Sequence, residues 1–316
     1  MRLLTLAPAA LLLLAVPGYA NDILIGTGSK SGVYFQVGRS ICRLLNREVE
    51  DLSCAPLETA GSVANLSNVT NGSLELAVVQ SDIQFHAVNR SGPYRFVDTP
   101  YDNLRALLSL YVEPFNLVAR RDADINGLDD LEQRRVNVGN SGSGHRETMG
   151  VVMQAKGWTA DDFQLMTELP ASQQTMALCH DRVQAMVYTA GHPNPSIAQA
   201  IELCDARFVE VSGPEIDRLI ADNPFYTYTS IPAGVYRGVD KPVKTFGTMA
   251  TVVSSSDVDE SLVYNTVKAL FENLDRFKRM HTAFRDLEPE TMVSQGLAAP
   301  LHKGAERYYR EMGWIE

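Results

Sequence analysis

Cysteine is scarce in this chain: there are four in 316 residues, and no two stand in a C-x-x-C spacing. A zinc site built on them is therefore a weak alternative. Histidine is sparse too. The six (His86, His145, His180, His192, His281 and His302) include no H-E-x-x-H and no close metal-spaced pair, so neither a metal nor a cofactor is expected. Positive charge is in deficit, with 28 Lys and Arg against 38 Asp and Glu, a formal net charge of -10. Such a chain repels phosphate backbones, and no nucleic-acid partner is expected. Low-complexity linkers and internal repeats are absent. The composition, 45% hydrophobic and 21% charged, is ordinary for a globular protein and excludes disorder, collagen and coiled coil. Past residue 20, no apolar run reaches the roughly 20 residues a membrane-spanning helix needs.

The first twenty residues do carry an apolar run. Met1-Arg2 is a short positive start, Leu3 to Val16 is apolar apart from Thr5 and Pro8, and Gly18-Tyr19-Ala20 ends in small residues. This reads as a secretory leader cleaved after Ala20, so the mature protein is expected to be exported. No cysteine stands at the cleavage site, which argues against a lipoprotein. Export bears on the cysteines, because an even count in an oxidising compartment suggests disulfides. Four cysteines allow three connectivities. The local one, Cys42–Cys54 with Cys179–Cys204, closes short loops within each half of the chain and is favoured.

The pattern that follows is an alternation. Asp22–Gly28 is a short apolar run ending in glycines, and Gly32–Asn46 has helical spacing at Val33, Val37, Ile41, Leu44 and Leu45. Strands at Ser53–Thr59 and Leu76–Gln80 enclose a helix at Gly61–Asn71, and Ser81 opens another helix. This order implies a mainly parallel sheet covered by helices. Two successive strands, Leu104–Tyr111 and Phe115–Arg120, look like a crossing into a second lobe. A short helix at Leu128–Leu131 and a strand at Arg135–Val138 come next, then a helix over Ser141–Lys156 and strands near Gln184–Tyr188 and Arg207–Val211. Thr245–Ser254 would return the chain, and helices near Glu260–Asn273, Pro289–Gly296 and His302–Met312 finish it. The expected organisation is a leader over 1–20, lobe I over 21–112 plus 246–316, and lobe II over 113–245. The cleft between the lobes is the natural ligand site.

Several loops could serve that cleft. Gly26-x-Gly28-x-x-x-Gly32 lacks the dinucleotide spacing, yet its glycines would let backbone approach a ligand. Gly139-Asn-Ser-Gly-Ser-Gly-His-Arg146 is sharper, because small polar residues open a helix whose free amides would hold a carboxylate or phosphate. Ser143 would add a hydroxyl and Arg146 a charge-assisted contact; ordinary capping by Ser141 or Ser143 is the plain alternative. Gln80 and Ser81 end the third strand at the same edge, and Tyr188-Thr-Ala-Gly-His-Pro193 ends another. G-x-S-x-G is absent, but a secreted hydrolase using Ser143 or Ser81 stays open as a second reading.

In order along the chain stand Ile25-Gly-Thr-Gly, Gly32-Val-Tyr34, Gly61-Ser-Val-Ala-Asn65, Val79-Gln-Ser-Asp82, Val138-Gly-Asn-Ser-Gly-Ser-Gly144, Gly191-His-Pro-Asn-Pro195, Ile231-Pro-Ala-Gly-Val-Tyr236 and the Ala299–Tyr309 segment. This ordered set resembles the TAXI family, the substrate-binding proteins of tripartite ATP-independent periplasmic (TRAP) transporters. The resemblance implies a two-lobed, type II periplasmic-binding-protein fold. It also implies a non-enzymatic receptor for a small anionic or zwitterionic solute, such as glutamate, glutamine or 2-oxoglutarate, acting as a monomer with TRAP permease subunits. It implies two local disulfides as well. Carried over by position, the ligand contacts would be Gly28, Tyr34, Ser62, Gln80, Ser81, Ser143, Gly144, His145, Arg146, Tyr188 and Ala190. The chain departs from the pattern at His145, where many relatives carry a small hydroxyl residue.

Overall fold

The computed structural model describes residues 21–92 and 99–316, so the expected leader and its cleavage site lie outside the described residues. In chain order the elements are β1 (Asn21–Gly26), α1 (Val33–Glu48), β2 (Leu52–Leu57), α2 (Ser62–Thr70), β3 (Leu76–Gln80), α3 (Ser81–Asn89) and β4 (Leu104–Arg120). They continue with β5 (Arg135–Asn137), α4 (Gly144–Lys156), β6 (Leu165–Thr167), α5 (Ala171–Cys179), β7 (Ala185–Thr189), α6 (Pro195–Leu203), β8 (Ala206–Val209) and α7 (Pro214–Asp222). The chain closes with β9 (Thr227–Ile231), β10 (Val243–Ser255), α8 (Glu260–Glu272), α9 (Leu274–Lys278), α10 (Pro289–Met292) and α11 (Lys303–Glu311).

The short strands pair in parallel, β2 with β1 and β1 with β3 in one half, β6 with β5 and β5 with β7 in the other. Two long strands run antiparallel through the middle and join the halves. β10 pairs with β3 and β4, and β4 goes on to pair with β7 and β8. Helices flank this α/β sheet because parallel neighbours need crossovers, and each crossover buries one apolar stripe. In α1 that stripe is Val33, Val37, Ile41, Leu44 and Leu45, all buried. Separate apolar clusters form around the two halves, one including Ile25, Val37, Leu108 and Val252, another including Phe115, Val136, Met149 and Val187. Among the described residues no helix is long and apolar enough to cross a membrane.

Three differences from the sequence reading have physical causes. The two strands expected around Pro114 are one strand of 17 residues. Pro114 stands where the partner changes: β10 pairs as far as Gly247↔Pro114, and β7 takes over at Phe115↔Thr189. Its carbonyl accepts from the Ala190 amide at 3.2 Å, so the missing N–H breaks nothing needed there. The unforeseen β9 has the polar sequence TYTSI and is mostly exposed; it pairs with the Val243–Gly247 part of β10 and buries Ile231 at its end. The short β6 likewise has no buried strand residue to betray it. Disulfides link Cys42 to Cys54, tying α1 to β2, and Cys179 to Cys204, tying the ends of α5 and α6.

Candidate functional site

Every parallel strand ends at one place. The turns after β1 and β2 and the last residue of β3 deliver Gly28, Tyr34, Ser62 and Gln80 to a cavity of about 290 Å³. From the other half come Asn140, Gly144 and His145 after β5, Pro170 and Ala171 at the start of α5, and Tyr188–Ala190 at the end of β7. The volume is at the small end of the ~300–1,000 Å³ usual for ligand pockets, a size that suits a small molecule. The first turns of α1, α2, α4 and α5 all line it. Helix starts carry unbonded amides and the positive end of the helix dipole. Among the described residues no protein acceptor takes the amides of Ser62 and Val63, Gly144 and His145, or Ala171 and Ser172.

Local sequence explains how the turns come so close. Asn65 is fully buried, and its Nδ2 donates to the carbonyls of Thr27 and Val78 at 2.6 and 2.8 Å. Its Oδ1 accepts from the Thr59 hydroxyl at 2.7 Å, so one amide staples three strand ends together. Gly61 has φ of +122° and lies against Ser143, where a Cβ would come within 3.1 Å of the Ser143 Cα. A Cβ on Gly144 would lie 1.9 Å from Gln80 Oε1.

The cavity floor holds a residue that the sequence reading missed. Glu113, in the middle of β4, is 2% exposed and lines the cavity. Its Oε2 accepts from the Tyr34 hydroxyl at 2.6 Å. Burial pushes its carboxyl up to about 8, against the lowering effect of the Tyr34 hydrogen bond. The signal was present in sequence: Glu113 is the lone carboxylate in the largely apolar run Leu104–Ala119. In the same lining, burial drives His145 down to about 3, so its imidazole is neutral. The ring stands edge-on to Tyr188, 5.0 Å between centroids. His145 Nε2 and Thr189 Oγ1 are buried polar atoms without a protein partner, and both residues line the cavity. Among the described residues no Lys or Arg lines it; Lys30 faces the lining residue Glu58 at 3.8 Å with both side chains exposed.

Of the eleven expected contact residues the structure brings eight together here: Gly28, Tyr34, Ser62, Gln80, Gly144, His145, Tyr188 and Ala190. The other three lie outside the lining. Ser81 is buried against β10, its Oγ bonded to Thr248 Oγ1 at 2.6 Å and accepting from the Met249 amide at 3.0 Å. Ser143 caps α4, accepting from the Arg146 amide and donating to the Asn140 carbonyl. Arg146 turns away to Glu168, with Nε 2.7 Å from Oε1. The plain capping alternative is thus the geometry of this loop, and the charge expected from Arg146 is spent on an ion pair.

Behind the cavity the halves are bonded to one another. Gln80 Nε2 donates to Asp82 Oδ1 at 3.1 Å and across to Thr148 Oγ1 at 2.9 Å. The Tyr226 hydroxyl donates to Asp82 Oδ2 at 2.9 Å. At the rim Asn140 Nδ2 donates to the Ala60 carbonyl at 3.1 Å, and Ser196 Oγ to Ser31 Oγ at 2.9 Å.

Residues 25–313 match the model of a family described as NMT1-like. Solved structures with the same fold share little sequence. A Bordetella bronchiseptica RB50 protein is 12% identical with a TM-score of 0.55, over 92% of this chain and 98% of that one. A putative L-cystine ABC transporter structure from Listeria monocytogenes is 12% identical with a TM-score of 0.50, over 84% and 95%. A histidine kinase sensor domain described as similar to periplasmic binding proteins is 13% identical with a TM-score of 0.51, over 86% and 99%. At such identity the likeness speaks for the fold: an α/β sheet flanked by helices, as in periplasmic binding proteins.

Proposed function

The chain belongs to the NMT1-like family, and from that premise we propose that it is an extracytoplasmic solute receptor, not an enzyme. The observation that carries this reading is the meeting of four helix starts in one small cavity between two sheet halves. Unbonded amides there would hold a carboxylate without any side-chain cation. Two lobes, 21–112 with 246–316 and 113–245, would close on the solute. Only the closed form offers contacts from both, so binding favours closure. The cargo is a C5 acid such as 2-oxoglutarate, glutamate or glutamine. It sits between the Ser62 and Gly144 helix starts, with Gly28, Tyr34, Gln80, His145, Tyr188 and Ala190 around it. The receptor hands its cargo to an ion-gradient-driven TRAP permease, a step that rests on the ordered motifs of the TAXI resemblance. The hydrolase reading finds no support, because Ser81 and Ser143 are engaged by Thr248 and Asn140 and no histidine bonds either hydroxyl.

Native mass spectrometry of the mature protein, then a melting-shift screen after refolding without ligand, tests the receptor. A co-purified small acid, or a clear shift with C4–C5 carboxylates or amino acids, is expected. The absence of both a bound mass and a shift across that panel would refute it. Uptake by cells carrying the receptor should stop when the ion gradient is collapsed; uptake that stops only on ATP depletion would replace the TRAP permease with an ATP-driven one.

A further inference from the structure

The helix starts account for the acid end of a solute but leave a carboxylate, Glu113, facing the same cavity. We infer that Glu113 receives a protonated amine of the solute, so that the cargo is an amino acid and not the oxo acid of the same skeleton. This assignment rests on the receptor reading above and sharpens it.

Three observations carry it. First, among the described residues the formally charged side chains lining the cavity are two acids, Glu113 and Glu58. A dianion finds no side-chain cation in that lining, whereas an ammonium can take Glu113 as its counter-ion while the acid end takes the helix starts. Second, Tyr34 and Tyr188 line the cavity beside Glu113, and an ammonium held between a carboxylate and tyrosine faces gains from both. Third, the unpartnered buried polar atoms His145 Nε2 and Thr189 Oγ1 belong to residues that line the same cavity as Glu113. They could bond the solute's acid end or side chain while Glu113 holds the amine.

The groups that bear on Glu113 are few. Tyr34 donates to it from α1, the Gly191 amide bonds it, and Asp82 from α3 adds negative charge. Tyr111 on its own strand and Tyr188 on β7 feel its charge. None is a cation. In the empty cavity burial keeps Glu113 largely protonated at neutral pH, titrating about 8. An arriving ammonium favours the carboxylate, so a proton is released and affinity rises with pH up to about 8.

The test uses matched pairs on the mature protein by isothermal titration: L-glutamate with 2-oxoglutarate, L-alanine with pyruvate, and L-leucine with its 2-oxo acid. The amino acid of the best pair should bind about 100-fold tighter than its oxo acid. Titration in two buffers of different ionisation heat should show proton release. Glu113→Gln should cut that preference to within about threefold, and Glu113→Asp should keep part of it. Circular dichroism and melting of both variants confirm that they fold. An oxo acid binding as tightly as its amino acid overturns the assignment and leaves the receptor standing. So does a preference that survives in Glu113→Gln. If no pair binds but a dicarboxylate such as succinate does, the amine assignment alone falls. If nothing in the panel binds, the receptor falls with it.

Discussion

Two charged residues exchange the roles that their sequence surroundings suggest. Arg146 stands in the glycine-serine loop and looks like a carboxylate clamp, but its guanidinium lies on Glu168 at 2.7 Å, outside the cavity lining. An exposed or half-exposed pair of this kind contributes roughly 0–1 kcal/mol. Arg146→Ala should therefore leave solute affinity within about twofold, measured by titration calorimetry; a tenfold loss would return the residue to the site. Glu113 looks like an accident in an apolar strand and lies at the cavity floor. Its effect on stability has a definite sign. Burial lifts its carboxyl from its ordinary 4.5 to about 8, so between those values the folded chain holds a proton that the unfolded chain releases. Its contribution is full below the unfolded value and is lost as pH rises through the folded one. Glu113→Gln removes that loss. The variant should melt progressively higher than the ligand-free parent on going from about pH 5 to about pH 9, by several degrees at the upper end. A gap that stays constant with pH contradicts a buried, titrating Glu113.

The elements were more legible than the site because periodicity is local and cavities are not. Val33, Val37, Ile41, Leu44 and Leu45 announce α1, and all five are buried. Strand β9 announces nothing, since Thr227, Tyr228 and Ser230 are exposed and pairing with β10 defines it. Pro114 invited a break that its partner exchange makes unnecessary. Glycine-rich turns marked where the cavity would be, yet capping by Ser143 and ligand contact by Gly144 look alike in sequence. Geometry separates them: Ser143 Oγ is used within its own loop, while Gly144 presents backbone beside Gln80. The start of α4 can come this close only without a side chain at 144. Gly144→Ala would place a Cβ 1.9 Å from Gln80 Oε1. Gln80 would have to shift, losing its bonds to Thr148 and Asp82. The expected cost is about 1–3 kcal/mol in stability and about 10- to 100-fold in affinity, by melting and titration. If affinity holds while stability falls, the α4 start packs the halves together and does not hold the solute.

At the scale of the whole molecule, the proposed closure has to be maintained by more than the solute, because the halves already bond one another behind the cavity. Tyr226, just before β9, reaches Asp82 at the start of α3 with 2.9 Å between oxygens, and Thr148 of α4 reaches the same carboxylate at 3.3 Å. Asp82 is almost wholly buried, and burial raises its pKa against the pull of the Tyr226 hydrogen bond. A hydrogen bond to such a group is worth roughly 1.5–3 kcal/mol. Neither Tyr226 nor Asp82 lines the cavity, so the bond bears on binding through the balance of open and closed forms and through Gln80, which donates to Asp82. Tyr226→Phe keeps the ring against Phe246, 5.3 Å between centroids, and removes only the hydroxyl. If the halves close as proposed, affinity should fall about tenfold. The ligand-free variant should then show a larger radius of gyration by small-angle scattering than the ligand-free parent, and the two saturated complexes should be equal in size. A variant that melts lower but binds as tightly, with unchanged scattering, would make Asp82–Tyr226 a bond within one rigid body and remove closure from the account of binding.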